Sequence, residues 1–271
     1  MSAIVAAADS APFVAQMEAA NQRRRTRFRL LFVLTWVVIL GAVAAFFALT
    51  VGIHYEFLGK WVGFILGGVW ITLGISIAAI LLALVLAIFG ALGRLSSNPV
   101  FNGIASLYVS FVRGTPLIVQ ILFIYLALPA AGIVLPEIPT GILALGFNYG
   151  AYLTEVFRAG IQAVPGGQVE AAMALGLPDR QVLRRVILPQ AFRIVTPAVG
   201  NDFIAMTKDS ALVSIIGVDE LLFRAQAAGR PYGETFQTIM VAALMYWVLT
   251  IVLSFFQARL ERRMAAGDRA R

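Results

Sequence analysis

The chain is 271 residues long, 60% apolar and only 13% charged, with no cysteine and a single histidine, His54. Soluble domains carry roughly a quarter charged residues, so a cytosolic globular enzyme is excluded, and disulfide-stapled, collagen-like and disordered classes fail on the same composition. The net charge of +7, from 21 Lys and Arg against 14 Asp and Glu, suits loops facing anionic lipid rather than a nucleic-acid surface.

A helix of about 20 mostly apolar residues crosses ~30 Å of hydrocarbon. Residues 1–29 form a tail whose last part carries Arg23, Arg24, Arg25, Arg27 and Arg29. The uncharged run 30–50 follows as a first span, too long for the apolar part of a cleaved leader and therefore read as retained. The next uncharged run, 61–93, exceeds one crossing, so its helix must tilt or project. Ser96-Ser97-Asn98-Pro99 breaks the chain. A third span runs over 109–128, and Pro116 disfavours a helical Thr115, which predicts a bend there. Pro129, Pro136 and Pro139 mark a loop, then spans follow at 140–158, 194–217 and 236–257, with a basic tail over 258–271. The fold class is an all-α integral membrane protein with six transmembrane helices.

Basic residues set its orientation. The N-terminal arginines share a side with Arg94, Arg113, Arg158, Arg180, Arg184, Arg185 and Arg193, and with Arg259, Arg262, Arg263, Arg269 and Arg271. That side is the cytoplasm, and both termini lie on it.

The longest loop, 162–190, reads as two short cytoplasmic helices. Pro165 and Gly166 open the first, Glu170 in its first turn suits the positive N-terminus, and Gly176 is a C-terminal cap. Asp179 is placed as N-cap of the second, whose apolar stripe is Val182, Leu183, Val186 and Ile187, and Pro189 stops it. Such a hairpin can dock a partner or pack under its own bundle.

Glu170-Ala171-Ala172, Gly176 and Val186-Ile187-Leu188-Pro189 at this spacing resemble the E-A-A loop of permease subunits in bacterial ABC importers. Val186 stands where the pattern usually has isoleucine. Arg113-Gly114-Thr115-Pro116-Leu117, Ala151-Tyr152 with Glu155 and Arg158, and Lys208-Asp209-Ser210 resemble the branch that imports polar amino acids. The resemblance covers 61–257, a five-helix permease core, and leaves 30–50 as an extra N-terminal helix.

The resemblance implies that Glu170, Ala171, Ala172, Gly176, Leu188 and Pro189 form a coupling element inserted into a cytoplasmic ABC ATPase. It also implies a second permease chain, identical or paralogous, an extracytoplasmic amino-acid-binding protein, and a multi-pass location in the bacterial inner membrane. ATP and Mg would bind the partner ATPase, with no cofactor in this chain. The residues agree. A phosphate-binding G-x-x-x-x-G-K-[ST] loop needs a lysine in that setting, and neither Lys60 nor Lys208 has it. One histidine and no cysteine leave no metal site.

Asn148, Tyr152 and Glu155 share one face of the fourth span. That face either lines the pathway, with Glu155 meeting a substrate ammonium, or Glu155 pairs with Arg158 at i+3 as helix-end solvation. Asp202 and Asp209 share a face of the fifth span beside Lys208, and Thr196-Pro197 can kink it. They form either a substrate or gating element or an internal ion pair at a broken helix. Thr115 joins Asn148, Tyr152, Glu155 and Asp202 as a pathway candidate. Arg113 either contacts a substrate carboxylate or snorkels to lipid phosphate. Gly63 and Gly67 form a G-x-x-x-G that permits close helix approach. From another class, an ion-gradient-driven secondary amino-acid transporter would use Asp202, Glu155 and Lys208 for coupling; it has no need of the 162–190 hairpin.

Overall fold

The computed structural model describes residues 2–50 and 52–269. Met1 and Arg271, which fall in the two tails read above, lie outside the described residues. The chain forms two compact units, 1–55 and 56–271. The first is a single helix, α1 (Ser2–Thr50). It runs without a break through the expected tail and the expected span, because alanine, glutamine and arginine before residue 29 and leucine and alanine after it are good helix formers.

The second unit opens with α2 (Tyr55–Leu95), whose 41 residues make a rod of about 62 Å. Its buried side repeats every three to four residues and is built mostly of small groups, Gly68, Thr72, Ser76, Ala79, Ala83, Ala87, Gly90 and Ala91, with Ile65, Ile75 and Ile80 among them. Its opposite side exposes Trp70, Leu81, Val85, Phe89 and Leu92. Large side chains outward and small ones inward is the arrangement of a helix that gains nothing from hiding leucine from lipid and gains dispersion contact by close backbone approach.

Next come α3 (Pro99–Gly114) and α4 (Leu117–Ala130), bent by 111° across Thr115 and Pro116. The interruption falls where the sequence predicts it. The helix before it starts at Pro99 rather than near 109, because Asn98 caps it: its side-chain oxygen accepts from the Val100 amide at 2.9 Å, and Pro99 supplies the first helical position.

Helix α5 (Glu137–Gln162) leads to α6 (Gly166–Ala174) and α7 (Asp179–Val182), which continues as a π turn, Leu183–Ile187, into α8 (Leu188–Asp209). Three expectations for this loop are corrected. Glu170 sits in the second turn of α6, since the helix starts at Gly166. Pro178 takes the N-cap position, so Asp179 is the first residue of α7. Pro189 does not end the second helix but lies in the first turn of α8, where a missing N–H is tolerated. The chain then tightens into a 3-10 helix, Ser210–Ile216, and stops at Gly217 with φ +92°. The break at Lys208-Asp209-Ser210 matches the charged cluster.

A short helix not anticipated from the sequence, α9 (Leu221–Gly229), precedes α10 (Thr235–Arg269). Ala225, Ala228 and Leu221 of α9 are fully buried with Ile65 of α2 and Ala242 of α10. The main core joins α2, α4, α5 and α8 through Ile75, Ala79, Ala83, Ile121, Leu145, Leu153 and Met206.

Among the described residues, three helices are long and apolar enough to cross a membrane, within Asn21–Thr50, Tyr55–Leu95 and Thr235–Met264, or four if α3 and α4 are one broken span. Helices α5 and α8, at 26 and 22 residues, have the length but not the hydropathy. The buried face of α5 carries glycine, threonine and Asn148 beside Leu145 and Leu153, and that of α8 carries Thr207 beside Val195 and Met206.

The close approach anticipated at Gly63 and Gly67 is displaced by one residue. A Cβ at Gly63 would meet nothing within 4 Å, whereas at Gly67 it would lie 2.4 Å from the Arg224 guanidinium and at Gly68 it would lie 2.7 Å from the Leu221 backbone. Backbone cannot swing aside. Gly68→Ala is therefore expected to destabilise the detergent-solubilised protein by about 1–3 kcal/mol, read as thermal unfolding, while Gly63→Ala leaves it unchanged.

Candidate functional site

The bend between α3 and α4 leaves carbonyls without helical partners in an apolar setting, where each would cost several kcal/mol. A single amide repairs it. The buried Gln120 side-chain nitrogen donates to the Val112 carbonyl at 2.7 Å, the Thr115 carbonyl at 3.1 Å and Thr115 Oγ1 at 2.8 Å. Its oxygen accepts from Asn148 Nδ2 at 3.1 Å, so α5 holds the amide that holds the break. Thr115 in turn donates its hydroxyl to the Phe111 carbonyl at 3.0 Å. Asn148 is thus brought together with Thr115, but through Gln120, which no sequence motif marks.

One turn along α5, a line of rings and charges spans three helices. The Arg113 guanidinium lies 5.2 Å from the Tyr152 ring centroid, and Tyr152 lies 6.4 Å from the Tyr149 ring. The Tyr149 hydroxyl donates to Asp209 Oδ2 at 2.7 Å. Arg113 therefore rests on an aromatic face. Asp202 is half-buried, Lys208 is exposed, and no ion pair joins Lys208 to an acid among the described residues. The internal pair weighed for this cluster is replaced by the tyrosine–aspartate bond.

Glu155 stands apart from that line. Its carboxylate accepts from Arg158 Nη2 at 2.7 Å and Nε at 3.0 Å, and from Arg94 Nε on α2 at 3.0 Å. Arg94 also donates to Ser106 of α3, and the Asn102 side-chain amide donates to the Arg94 carbonyl at 2.8 Å. The i+3 partner was legible in the sequence. Arg94 was not, since it lies 61 residues away.

Glu220 was missed altogether. It is fully buried and caps α9, accepting from the Phe223 amide at 2.8 Å, from Thr72 Oγ1 of α2 at 3.4 Å and from the Tyr246 hydroxyl of α10. An acid two residues after a left-handed glycine and its valine, just ahead of Leu221-Leu222, was the available signal for a capped helix.

On the loop, Ala172 is 5% exposed and fixes α6 to what lies beneath, whereas Glu170 and Ala171 face outward and Leu175 is 82% exposed. Gly176 ends α6 with φ +77°, and the Gly176 and Leu177 amides donate to the Met173 and Ala172 carbonyls at 2.9 Å and 3.2 Å. The expected cap is the one observed. Gln190 of α8 closes the loop by donating to Gln168 Oε1 of α6 at 2.6 Å. Leu188 and Pro189 are exposed at its return. Among the described residues no group of three or more His, Cys, Asp or Glu could hold a metal ion.

Comparison with known proteins gives this geometry a context. Residues 79–266 match the family described as "Binding-protein-dependent transport system inner membrane component". The chain is 38% identical over 206 residues to the arginine transport system permease protein ArtQ of Bacillus subtilis, covering 76% of this chain and 94% of that protein. It is 36% identical to the histidine/lysine/arginine/ornithine transport system permease protein HisQ of Escherichia coli, covering 76% of this chain and 95% of that protein. Among solved structures, an amino acid ABC transporter with histidines superposes with a TM-score of 0.74 at 37% identity, over 78% of this chain and 99% of that one. The MetNI methionine ABC transporter, at 20% identity, a TM-score of 0.63 and coverage of 73% of this chain and 95% of that one, shares the fold.

The Gln120 repair yields a direct test. Gln120→Leu keeps the apolar volume and uncovers the Val112 and Thr115 carbonyls. It is expected to cost about 1–3 kcal/mol, read as a lower melting temperature, with Gln120→Glu no better because it removes the same donor.

Proposed function

We infer the function of this chain from its family: it belongs to the inner membrane components of binding-protein-dependent transport systems. It is a permease subunit of an ATP-driven ABC importer, a transport component whose energy comes from a separate ATPase. It is a multi-pass inner membrane protein that works with an ATPase and a binding protein.

We propose further that the cargo is a polar amino acid, as the names of ArtQ and HisQ and the motifs around Arg113, Tyr152 and Lys208 support. The chain crosses the membrane six times, with α5 and α8 as interior spans, α3 and α4 as one broken span, and both termini in the cytoplasm on the arginine count. Two permease chains enclose the pathway, with Thr115, Asn148, Tyr152 and Asp202 on or beside it. Glu155 is held by two arginines, which leaves it a structural part in this scheme. ATP and Mg bind the ATPase, and this chain holds no cofactor.

The observation that carries the reading is the shape of 162–190. Helix α6 is pinned from below by Ala172, offers Met173 and Leu175 to the outside, and is closed by Gly176 and the Gln168–Gln190 bond. Such an outward apolar knob on a braced loop is fit to enter a cleft on an ATPase. ATP binding then draws two ATPases together, moves the loops with them and turns the pathway outward; hydrolysis resets it. The ion-gradient alternative, which would use Asp202, Glu155 and Lys208, loses support, because Glu155 is held by Arg94 and Arg158 and the relatives are ABC importer permeases.

The test is uptake in vesicles containing the permease with and without its ATPase and binding protein. Amino-acid accumulation is expected only with ATP and both partners, and accumulation on an ion gradient alone would overturn the reading. Gly176→Asp puts a Cβ on a residue at φ +77°. It is expected to cut uptake about tenfold, a typical coupling between sites, while the chain stays in the membrane; Leu175→Ala should weaken ATPase co-purification.

A further inference from the structure

The ends of α2, α3 and α5 nearest the loop meet at one place, and two independent sets of contacts hold them there. The first is polar. Glu155 of α5 binds Arg94 of α2 at 3.0 Å, and Arg94 binds Ser106 of α3. Asn102 of α3 donates to the Arg94 carbonyl at 2.8 Å and accepts from Ser106 Oγ at 3.1 Å. From Glu155 the chain of bonds continues down α5 through Arg158 to Gln162, at 2.7 Å for each step. Gln162 is the last residue of α5, four before α6 begins.

The second set is steric. A Cβ on Gly90 of α2 would lie 2.1 Å from Thr154 Oγ1 of α5, and one on Gly93 would lie 2.8 Å from the Ala105 Cβ of α3. A Cβ on Gly150 would lie 2.7 Å from the Tyr108 hydroxyl of α3. On the other flank, one on Gly160 of α5 would lie 2.4 Å from Val195 of α8. Beside these contacts lies an apolar groove of about 910 Å³ lined by Leu86, Phe89, Gly93, Ile104, Ala105 and Tyr108. The junction ties the start of α3 to α2 and α5, and farther along the Tyr108 hydroxyl of α3 donates to the Phe147 carbonyl of α5 at 2.7 Å.

We propose that Arg94, Glu155 and Arg158 form a rigid junction through which displacement of the coupling loop reaches α2, α3 and α5 together, so that these three helix ends move as one body during transport. The proposal rests on the reading of α6 as the coupling helix. Without the junction, a push on the loop would pass along α5 and α8, the two helices continuous with it, and would reach α2 and the start of α3 only through apolar packing. These residues act by position and touch no substrate. Packed interfaces pass on displacement because they are close-packed and have few alternative arrangements.

The chain has no cysteine of its own, so paired thiols can be placed without background. Gly93→Cys with Ala105→Cys would bridge α2 and α3, and Gly90→Cys with Thr154→Cys would bridge α2 and α5. The paired Cβ atoms would lie 2.8 Å and 3.1 Å apart, within about 1 Å of ordinary disulfide spacing. In vesicles holding the full complex, both disulfides are expected to form and the oxidised transporter to import within about twofold of its reduced form. Import lost on oxidation and restored by reduction means the ends part during transport and overturns the proposal, as does failure of either bridge to form.

A second measurement addresses the polar network. Glu155→Gln and Arg94→Gln are expected to lower import about tenfold while the ATPase still co-purifies and still hydrolyses ATP, with Glu155→Asp recovering part of the loss. Import unchanged in Glu155→Gln overturns the role of the network. Intact coupling in Gly176→Asp would count against the coupling-helix reading alone, since the disulfides report on the junction whatever α6 contacts.

Discussion

Close approach between helix backbones is the constraint on which the rest of this structure depends. A medium as apolar as leucine offers no reward for burying leucine, so the helices must gain their contact by shape. Helix α2 provides the shape. Its buried side presents mostly glycine, alanine, serine and threonine, and α9, α5 and α3 each come close to it at a different level, at Gly68, at Gly90 and at Gly93. Helix α5 reciprocates with Gly146 against Leu82, Gly150 against Leu86 and Gly160 against Val195. Bulk is sent outward, to Trp70, Phe89, Leu107 and Phe255.

The same medium makes unanswered polar groups expensive. Interruptions of the helical ladder in the second unit are accordingly answered by side chains. Gln120 answers the bend at Thr115 and Glu220 answers the start of α9, while the Tyr149 hydroxyl satisfies the Asp209 carboxylate where α8 tightens into a 3-10 turn. No buried side-chain nitrogen or oxygen lacks a partner among the described residues. Polar residues inside the bundle are therefore a poor guide to the transport pathway on their own, because a large part of them is spent on keeping broken helices whole.

This explains what could and could not be read from the residues. The bend at Thr115-Pro116, the left-handed Gly176 and the Glu155–Arg158 pair were legible because each depends on neighbours within a few positions. The loop 162–190 was legible as a unit for the same reason. Arg94 as a partner of Glu155, and Gln120 as the partner of Asn148, depend on which helices lie side by side; each stands out in its own apolar run, but nothing near it in the chain names its partner. Helix α9 hid behind Gly217, where the chain reads as a loop, and its apolar face is only nine residues long. The G-x-x-x-G pattern marked the right stretch of α2 but the wrong pair, since contact follows from what faces each glycine and not from the spacing alone.

The π turn at Leu183–Ile187 sets a phase. It packs one more residue into a turn than an α-helix does. A chain one residue shorter there could run on as plain α-helix, and everything before it would be rotated by about 100° relative to α8. Gln168 would then swing away from Gln190, and Leu175 would point along the surface instead of out of it. Substitutions in this stretch leave that angle alone; insertions and deletions do not. The segment is thus open to change in composition while its length is held, and relatives that differ there in residue count must aim their loop in another direction or restore the angle elsewhere.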